Sequence, residues 1–527
     1  MSSTTLLLLC SLGVVIPSLV CGEMFTALLH MEGLVELEEQ LVQHLKSYIR
    51  KEEERLGELK KFLASAENAQ SLPRNEPREH LYHPTNALAV IMRYHSGWDQ
   101  KLSEYVYQDN SHDLMSAVAL EKYRFPSKED YSGAVTAIIR LQDAYKISPR
   151  NLTQSILGER QAIKVTTRIC FEIGREAYYL ENYWHTKEWM LECLRKMDEE
   201  NDYEDVSLPE IYDFLAFSEY KVGNLRKAMQ YTKDILQSDP THERALRNLN
   251  FFSEQMKEDP EAFNRVVTEQ TRNVYPETLG YEELCREAKP IPKENHHKMV
   301  CFYFTHKNNP RLILRPIKVE VAHLKPRIWI FKKFLSETEM ARLRELAVPK
   351  LKRATARNWK TGEFEPADYR ISKSGWLSED DDESTDIVHR INNRIDDSTG
   401  LSMATAEDLQ VVNYGIGGHY EPHYDFARKN EDAFSRLGWG NRISTLLIYM
   451  SNVTLGGATV FTESGGRIIP YNGDAVYWWN LKRSGEGDMR TRHAACPVLV
   501  GTKWVCNKWI HEAGQEFRRP CSLNKNQ

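Results

Sequence analysis

Residues 410–425 read QVVNYGIGGHYEPHYD. A β-branched and aromatic run enters a glycine turn and leaves it into H-x-D, and this pattern decides the fold of the C-terminal region. On a strand, residues two apart point to the same face, so His423 and Asp425 present an imidazole and a carboxylate to one point. Runs of the same kind surround it: RIWIFKKF, RISTLLIYM, ATVFT, DAVYWW and WVCNKWI, bounded by the turns LGG, SGG and NGD. Short runs bounded by glycine predict a sandwich or barrel of sheets rather than a parallel α/β fold.

H-x-D alone says little in a chain with 17 histidines. A third ligand must come from elsewhere, and His493, in RHAACPV, lies 70 positions after His423 (493 − 423). Opposed strands of a small barrel can bring it beside the first two. Two histidines and a carboxylate on one face leave the other face of an octahedral ion open, the arrangement of non-haem Fe(II) oxygenases. A chelating 2-oxo acid and dioxygen need those open positions, and the acid's far carboxylate needs a cation. Lys503, ten positions on (503 − 493), is the candidate; without the rest of the set it reads as an exposed strand lysine. The acidic EDDDES at 379–384 reads as a solvated loop without chemistry.

A chain of 527 residues divides into several domains. With 69 basic against 75 acidic residues and a net charge of -6, there is no electrostatic case for a nucleic-acid partner. TLLLLCSLGVVIPSLV is apolar and uncharged and leads to Val20-Cys21-Gly22, which predicts a secretory signal cleaved before Glu23, with a membrane anchor as the alternative. No later stretch matches its apolar length, so no membrane anchor is expected in the mature chain. Asn151-Leu152-Thr153 and Asn452-Val453-Thr454 are glycosylation sequons. Of nine cysteines, Cys10 and Cys21 leave with the signal; Cys170, Cys193, Cys285, Cys301, Cys496, Cys506 and Cys521 remain. Disulfides are permitted in an oxidising lumen, and close pairs such as Cys285 with Cys301 can close short loops. An odd number leaves one thiol free or paired with another chain, and spacing alone leaves the connectivity open.

From Glu23 to Glu67 a stripe of Leu34, Leu37, Leu41, Leu45, Ile49, Leu56, Leu59 and Leu63 recurs on a helical period, long enough to pair with a second helix or to fold onto its own domain. SLPRNEPREH then interrupts it as a linker or turn. In residues 211–240, Ala216, Ala228 and Pro240 lie twelve apart (228 − 216 and 240 − 228), the spacing of a tetratricopeptide unit. Small residues suit the close crossing of its two helices, and the proline stops the second. A weaker copy precedes it, with Gly174 in the place of Ala216 and an offset of 42 (216 − 174). Tyr178, Tyr179, Tyr183, Tyr203, Tyr212, Tyr220 and Tyr231 crowd this region. Each alone reads as helix packing; together, rings lining a helical-repeat groove suit an extended proline-rich peptide.

The stretches VVNYGIGGHYEPHYD, RISTLLIYMSNVTLGGATVF, TRHAACPVLVGTKWVCNKWIHEAGQEFRRPC and RISKSGWL resemble the alpha subunits of the collagen prolyl 4-hydroxylase family, and the resemblance extends over nearly the whole chain. It implies a multidomain α + β architecture. Residues 1–22 would be the signal peptide, 23–135 an N-terminal helical dimerisation domain, and 136–255 a tetratricopeptide-like α-helical peptide-substrate domain. Residues 256–319 would be a linker region with Cys285 and Cys301, and 320–527 a double-stranded β-helix, or jelly-roll, dioxygenase domain. By resemblance the iron ligands are His423, Asp425 and His493, and Lys503 binds 2-oxoglutarate. Tyr414, Thr459 and His511 match positions that handle the co-substrate, while Arg442 and Trp509 match the peptide side. Disulfides Cys285 with Cys301 and Cys496 with Cys521 are implied, with Cys170 unpaired; Cys193 and Cys506 depart from the family pattern.

The implied reaction is 4-hydroxylation of proline in collagen-like X-Pro-Gly peptides, using Fe(II), 2-oxoglutarate, O2 and L-ascorbate. The implied partner is protein disulfide isomerase, as the beta subunit of an α2β2 tetramer. The chain ends in KNQ and not in an endoplasmic-reticulum retrieval tetrapeptide, so the partner would supply retention in the lumen of that organelle. Two rivals are a related oxygenase acting on lysine or on a non-collagen protein, and an inactive lumenal collagen-binding scaffold or chaperone. Preferred collagen, isoenzyme type and sequon occupancy are not written in the sequence.

Overall fold

The computed structural model describes residues 26–71, 77–154, 164–203, 206–272, 274–357, 364–367, 369–429, 431, 434 and 438–524. The expected signal peptide, 1–22, lies outside them. Among the described residues no helix is long and apolar enough to cross a membrane. The chain forms two compact units, one holding His30–Pro126 and the other Ser127–Gln527.

In the first unit the leucine stripe becomes one long helix, α1 (Leu28–Ser71). Leu37 is buried, whereas Leu45, Ile49, Leu56 and Leu63 stand 44%, 46%, 50% and 55% exposed. The stripe is therefore only partly used within its own unit.

The second unit opens with α2 (Lys128–Tyr145), started by a capping box in which Ser127 and Asp130 satisfy each other's backbone donors. The boundary expected at 135 falls inside this helix. Its burial pattern explains why it belongs here: Val135, Ala137, Ile139, Leu141 and Ala144 are all buried. Helices α3 (Thr167–Tyr179) and α4 (Tyr183–Glu200) form the weaker repeat, α5 (Leu208–Val222) and α6 (Leu225–Ser238) the stronger one, and α7 (Glu243–Glu258) follows. The small residues sit where they were expected. Ala216 and Ala228 are fully buried, and a Cβ on Gly174 would come within 3.2 Å of the Trp189 Cβ.

The remainder is a sheet sandwich. Nine antiparallel strands run in the order Cys301–Phe304, Ile317–Leu324, Arg327–Lys332, Ala475–Trp479, Arg442–Tyr449, Lys503–His511, Leu409–Tyr414, Ser372–Leu377 and Lys352–Arg353. The sheet thus begins at Cys301, ahead of the expected boundary at 320. A four-stranded sheet runs in the order Gly466–Ile468, Thr459–Phe461, His493–Ala495 and Tyr420–His423. Val412, Tyr414, Leu447 and Tyr449 of the first sheet and Phe461, Ile468 and Ala495 of the second share one core between them. On the outer face of the large sheet a second core gathers Leu343 and Leu346 of the helix Glu337–Ala347 with Val388, Ile391 and Ile395 of the helix Thr385–Thr399. This is the expected double-stranded β-helix layout.

The disulfide expectation is corrected. Cys285 pairs with Cys496, their Cα atoms 5.6 Å apart, while among the described residues Cys301 and Cys521 are exposed free thiols and Cys170, Cys193 and Cys506 buried ones, Cys170 as expected. Tertiary packing overrides sequence proximity here. Helix α8 (Pro276–Arg286) lies on the outer face of the small sheet, where Tyr281, Leu284 and Cys285 pack against Ala458, Val460, Ala494 and Cys496. The Tyr281 hydroxyl donates to the Ala495 carbonyl at 2.9 Å, which fixes the helix over Cys496.

Candidate active site

Strand register solves the 70-residue separation. In the antiparallel pair Tyr420–His423 and His493–Ala495, His493 lies directly opposite His423. Asp425 follows two residues after His423, and one donor atom from each of the three side chains lies within 4.8 Å of the others. His423 Nε2 is 3.7 Å from Asp425 Oδ1, and His493 Nε2 is 3.5 Å from Asp425 Oδ2.

The outer hydrogen bonds fix the tautomers. His423 Nδ1 donates to the Glu421 carbonyl at 2.7 Å and His493 Nδ1 to the Thr491 carbonyl at 2.9 Å. Each Nε2 therefore keeps its lone pair toward the common centre, the orientation a metal ligand needs. Burial, reinforced by neighbouring His493, holds the His423 imidazole down at about 3, so it is neutral in the working range. Burial works against ionisation of Asp425, yet the two imidazoles, Arg442 and the Thr445 hydroxyl hold it at about 2. Thr445 Oγ1 donates to Asp425 Oδ2 at 2.7 Å and accepts from Asn480 Nδ2 at 2.8 Å; Asn480 Oδ1 accepts in turn from the Trp478 indole at 2.8 Å. A carboxylate, two imidazoles whose Nε2 atoms face one centre and an open side fit a divalent iron.

Beside this centre is a cavity of about 260 Å³ whose walls include Tyr414, Thr459, Lys503, Arg442 and Trp509. Alternation along the strand Lys503–His511 explains the choice: Lys503, Val505, Asn507 and Trp509 line the cavity, while Trp504, Cys506 and Ile510 enter the outer core. Lys503 lies opposite Tyr414 in the ladder and is 1% exposed. Its Nζ donates to the Gly457 carbonyl at 2.7 Å and sits 4.9 Å from the centre of the Tyr414 ring. Burial pushes the ammonium down to about 7 and the Tyr414 phenol up to about 12, so the phenol remains a donor. Thr459 Oγ1 accepts from the Tyr449 hydroxyl at 2.7 Å.

At the rim, the Arg442 guanidinium lies 4.0 Å from the Trp509 ring centre and 4.8 Å from that of Phe434. Glu407 binds it in a fork, with Nε to Oε1 at 2.5 Å and Nη2 to Oε2 at 2.8 Å. Among the described residues the buried Trp509 indole N–H has no hydrogen-bond partner. His511, expected near the co-substrate, is not among the cavity-lining residues. It is fully buried behind the rim, with Nε2 3.0 Å from Glu407 Oε1 and Nδ1 2.8 Å from the Gly440 carbonyl. Glu407, Arg370, Gln410 and Tyr420 also line the cavity and were missed in the sequence. The polar pair Ser444-Thr445 inside the otherwise apolar run of RISTLLIYM was the one readable signal.

In the repeat domain, Tyr178 meets Tyr179, Tyr183 and Phe217 at ring-centre distances of 6.0, 5.6 and 5.7 Å. The chain continues from Phe217 to Tyr220 at 6.2 Å and from Tyr220 to Phe251 at 5.2 Å. Tyr212 stands apart, stacked on Tyr231 at 5.5 Å. Arg244 donates to the Tyr178 hydroxyl at 3.0 Å and pairs with Asp213 at 2.8 Å; among the described residues the other, buried Asp213 oxygen has no hydrogen-bond partner. The sequon residues Asn151 and Asn452 are both exposed.

The two parts of this unit touch at the turn before the metal strand. Gly417 has φ +54°, and a Cβ there would lie 3.0 Å from the Ala137 carbonyl oxygen of α2, so glycine is required twice over. Arg140 donates to the Gly417 carbonyl at 3.3 Å and Tyr145 to that of Pro497 at 2.5 Å.

Comparison with known proteins agrees with this layout. The prolyl 4-hydroxylase alpha-subunit N-terminal region matches residues 27–159, the prolyl 4-hydroxylase peptide-substrate-binding domain residues 167–258, and the 2OG-Fe(II) oxygenase superfamily residues 409–511. Human prolyl 4-hydroxylase subunit alpha-1 is 42% identical over 530 residues, covering 98% of each chain. Chicken subunit alpha-2 is 42% identical over 514 residues, covering 95% of each. Caenorhabditis elegans subunit alpha-2 is 40% identical over 514 residues, covering 96% of this chain and 94% of its own. Among solved structures, the 2OG complex of the viral collagen prolyl hydroxylase of Paramecium bursaria Chlorella virus-1 is 24% identical with a TM-score of 0.28, covering 34% of this chain and 94% of its own. With near-complete coverage by such relatives and all three parts matched in order, this chain belongs to the prolyl 4-hydroxylase alpha-subunit family.

Proposed function

We infer that this chain is the catalytic alpha subunit of a prolyl 4-hydroxylase. It hydroxylates C4 of proline in collagen-like X-Pro-Gly peptides while 2-oxoglutarate becomes succinate and CO2. The oxygen balance is simple: one atom of O2 enters succinate and the other enters the C4–H bond. One observation carries the reading, the His423–Asp425–His493 cluster beside a cavity that holds a buried lysine.

Iron(II) held by His423, Asp425 and His493 supplies the oxygen activation that no amino-acid side chain can provide. The chain's own groups do the rest. Lys503 holds the far carboxylate of 2-oxoglutarate, and a dianion arriving there favours the charged ammonium that burial disfavours. The Tyr414 phenol and the Thr459 hydroxyl orient the co-substrate from the same cavity. Apolar walls at Leu447, Val505 and Trp478 exclude water from the reacting centre. At the rim, the unpartnered Trp509 N–H and the Arg442 guanidinium take peptide carbonyls, with Glu407 and His511 holding the arginine in place.

The repeat domain holds the rest of the substrate. Rings from Tyr178 to Phe251 pack flat against pyrrolidines. Two sites on one repeating chain raise effective concentration without new contacts. Protein disulfide isomerase as beta subunit, an α2β2 tetramer and residence in the endoplasmic-reticulum lumen complete the proposal. The exposed stripe of α1 supports pairing of two alpha subunits, and ascorbate belongs to the family's cofactor set.

The test co-expresses the chain with a disulfide isomerase and follows succinate and peptide mass with a (Pro-Pro-Gly) repeat, beside the same peptide bearing lysine at the reacting position. Oxidation of proline alone supports the reading. Oxidation of lysine, or succinate without peptide oxidation, moves the substrate elsewhere. Neither signal from folded protein favours the scaffold rival.

A further inference from the structure

Two buried thiols face each other in the repeat domain, away from the chemistry described above. Cys170 on α3 and Cys193 on α4 are both 0% exposed, and both belong to one core cluster with Phe171, Trp189, Met190 and Met197. The helices approach closely at Gly174, where an added Cβ would lie 3.2 Å from the Trp189 Cβ. Cys170 lies one turn before Gly174 (174 − 170 = 4) and Cys193 one turn after Trp189 (193 − 189 = 4), so in this antiparallel hairpin both step the same way along the crossing. Cys193 Sγ is 3.7 Å from the Thr167 carbonyl at the start of α3. In the structure both are free thiols, and Cys170 is a near neighbour of the Cys193 thiol.

We propose that Cys170 and Cys193 form a disulfide that closes the α3–α4 hairpin covalently. A disulfide needs Cβ atoms roughly 3.5–4.5 Å apart, and one turn away the two backbones come so close that a Cβ built on Gly174 would lie 3.2 Å from that of Trp189. The same chain already holds a disulfide at Cys285–Cys496, so it folds where thiols are oxidised. The chemistry is thiol–disulfide exchange with a dithiol–disulfide oxidoreductase. One cysteine thiolate attacks the donor's disulfide, releasing one donor thiol and leaving a mixed disulfide. The second cysteine then attacks its own chain's sulfur in that bond and releases the other donor thiol. Two electrons pass to the donor, and the two protons of the cysteines end on its dithiol. Burial, with the neighbouring Cys170 thiol, holds Cys193 protonated in the closed hairpin, so exchange takes place before the helices dock. The bond places Tyr178 and Tyr179, on α3, and Tyr183, at the start of α4, on one covalently closed element and fixes the first rings of the aromatic groove.

The test uses the wild-type full chain isolated with its partner from an oxidising secretory compartment. Native protein is treated with N-ethylmaleimide, then denatured in fresh reagent at low pH without reductant, digested and weighed by mass spectrometry. The expected result is a Cys170–Cys193 linked peptide pair that separates on reduction, with maleimide on Cys301 and Cys521 from the native step. Maleimide on both Cys170 and Cys193 in most molecules would overturn the proposal. A Cys193→Ser chain, treated in parallel, should carry maleimide on Cys170 only after denaturation; a Cys170 found linked to any other cysteine there contradicts the assigned pairing.

Discussion

Asp425 serves two neighbourhoods at once. It closes the three-donor cluster with His423 and His493 and accepts from Thr445, which is held by Asn480. His423→Ala or Asp425→Ala therefore removes activity, read as loss of succinate formation, while the fold remains. Thr445→Val leaves all three donors but frees the carboxylate to rotate; iron affinity should fall about 10–100-fold, measured by metal titration of the apo protein. Lys503 makes a pH prediction. Its ammonium is held down to about 7 by burial, so the free protein carries the charge below that pH and loses it above. The KM for 2-oxoglutarate should be flat below pH 7 and rise by up to about tenfold per unit above it, with Lys503→Ala weak at every pH. A wild-type KM that improves above pH 7 would contradict this role. At this scale the three-donor cluster was legible as H-x-D plus a distant histidine, although the strand ends at His423 and Asp425 lies just beyond it. Glu407 was not, because its partner Arg442 lies 35 positions away (442 − 407) and nothing in ATAEDLQ marks it. His511 was legible as a residue but not as to place: the fold sets it behind Glu407.

The helices of the repeat domain were readable from small residues at fixed spacing, since Gly174, Ala216 and Ala228 are needed wherever two helices approach closely. The chain of rings was readable only as a crowd of tyrosines. The fold sorts them, taking Tyr178, Tyr183 and Tyr220 into one chain of rings, adding Phe217 and Phe251, and setting Tyr212 against Tyr231. Tyr178→Ala should raise the KM for a long (Pro-Pro-Gly) repeat by about tenfold or more at unchanged kcat. A peptide just long enough for the active site should be indifferent to it. A fall in kcat for both peptides would mean that the ring supports the fold instead. The cysteine pairing shows the limit of spacing arguments: Cys285 with Cys301 is near in sequence, yet α8 docks on the small sheet and presents Cys285 to Cys496. The boundary at 135 failed for a related reason, because α2 is one capped helix whose buried face runs across it.

For the whole molecule, substrate binding and chemistry lie in one compact unit, joined where α2 meets the Gly417 turn. The other unit carries an apolar stripe with Leu45, Ile49, Leu56 and Leu63 largely uncovered. Replacing Ile49 and Leu56 together by Gln should halve the assembly mass in light scattering while each active site keeps turning over short peptides. An unchanged mass would assign the stripe to something other than self-pairing. The central claim is that His423, Asp425 and His493 would hold an iron(II) supplying the oxygen activation by which dioxygen is shared between a 2-oxo acid and a proline. Its most direct test is turnover under 18O2 with a (Pro-Pro-Gly) repeat, wild type beside His423→Ala. The account predicts one heavy oxygen in each succinate and one at C4 of each modified proline, both absent in the variant. Unlabelled hydroxyproline, or label in succinate with none in the peptide, would contradict it.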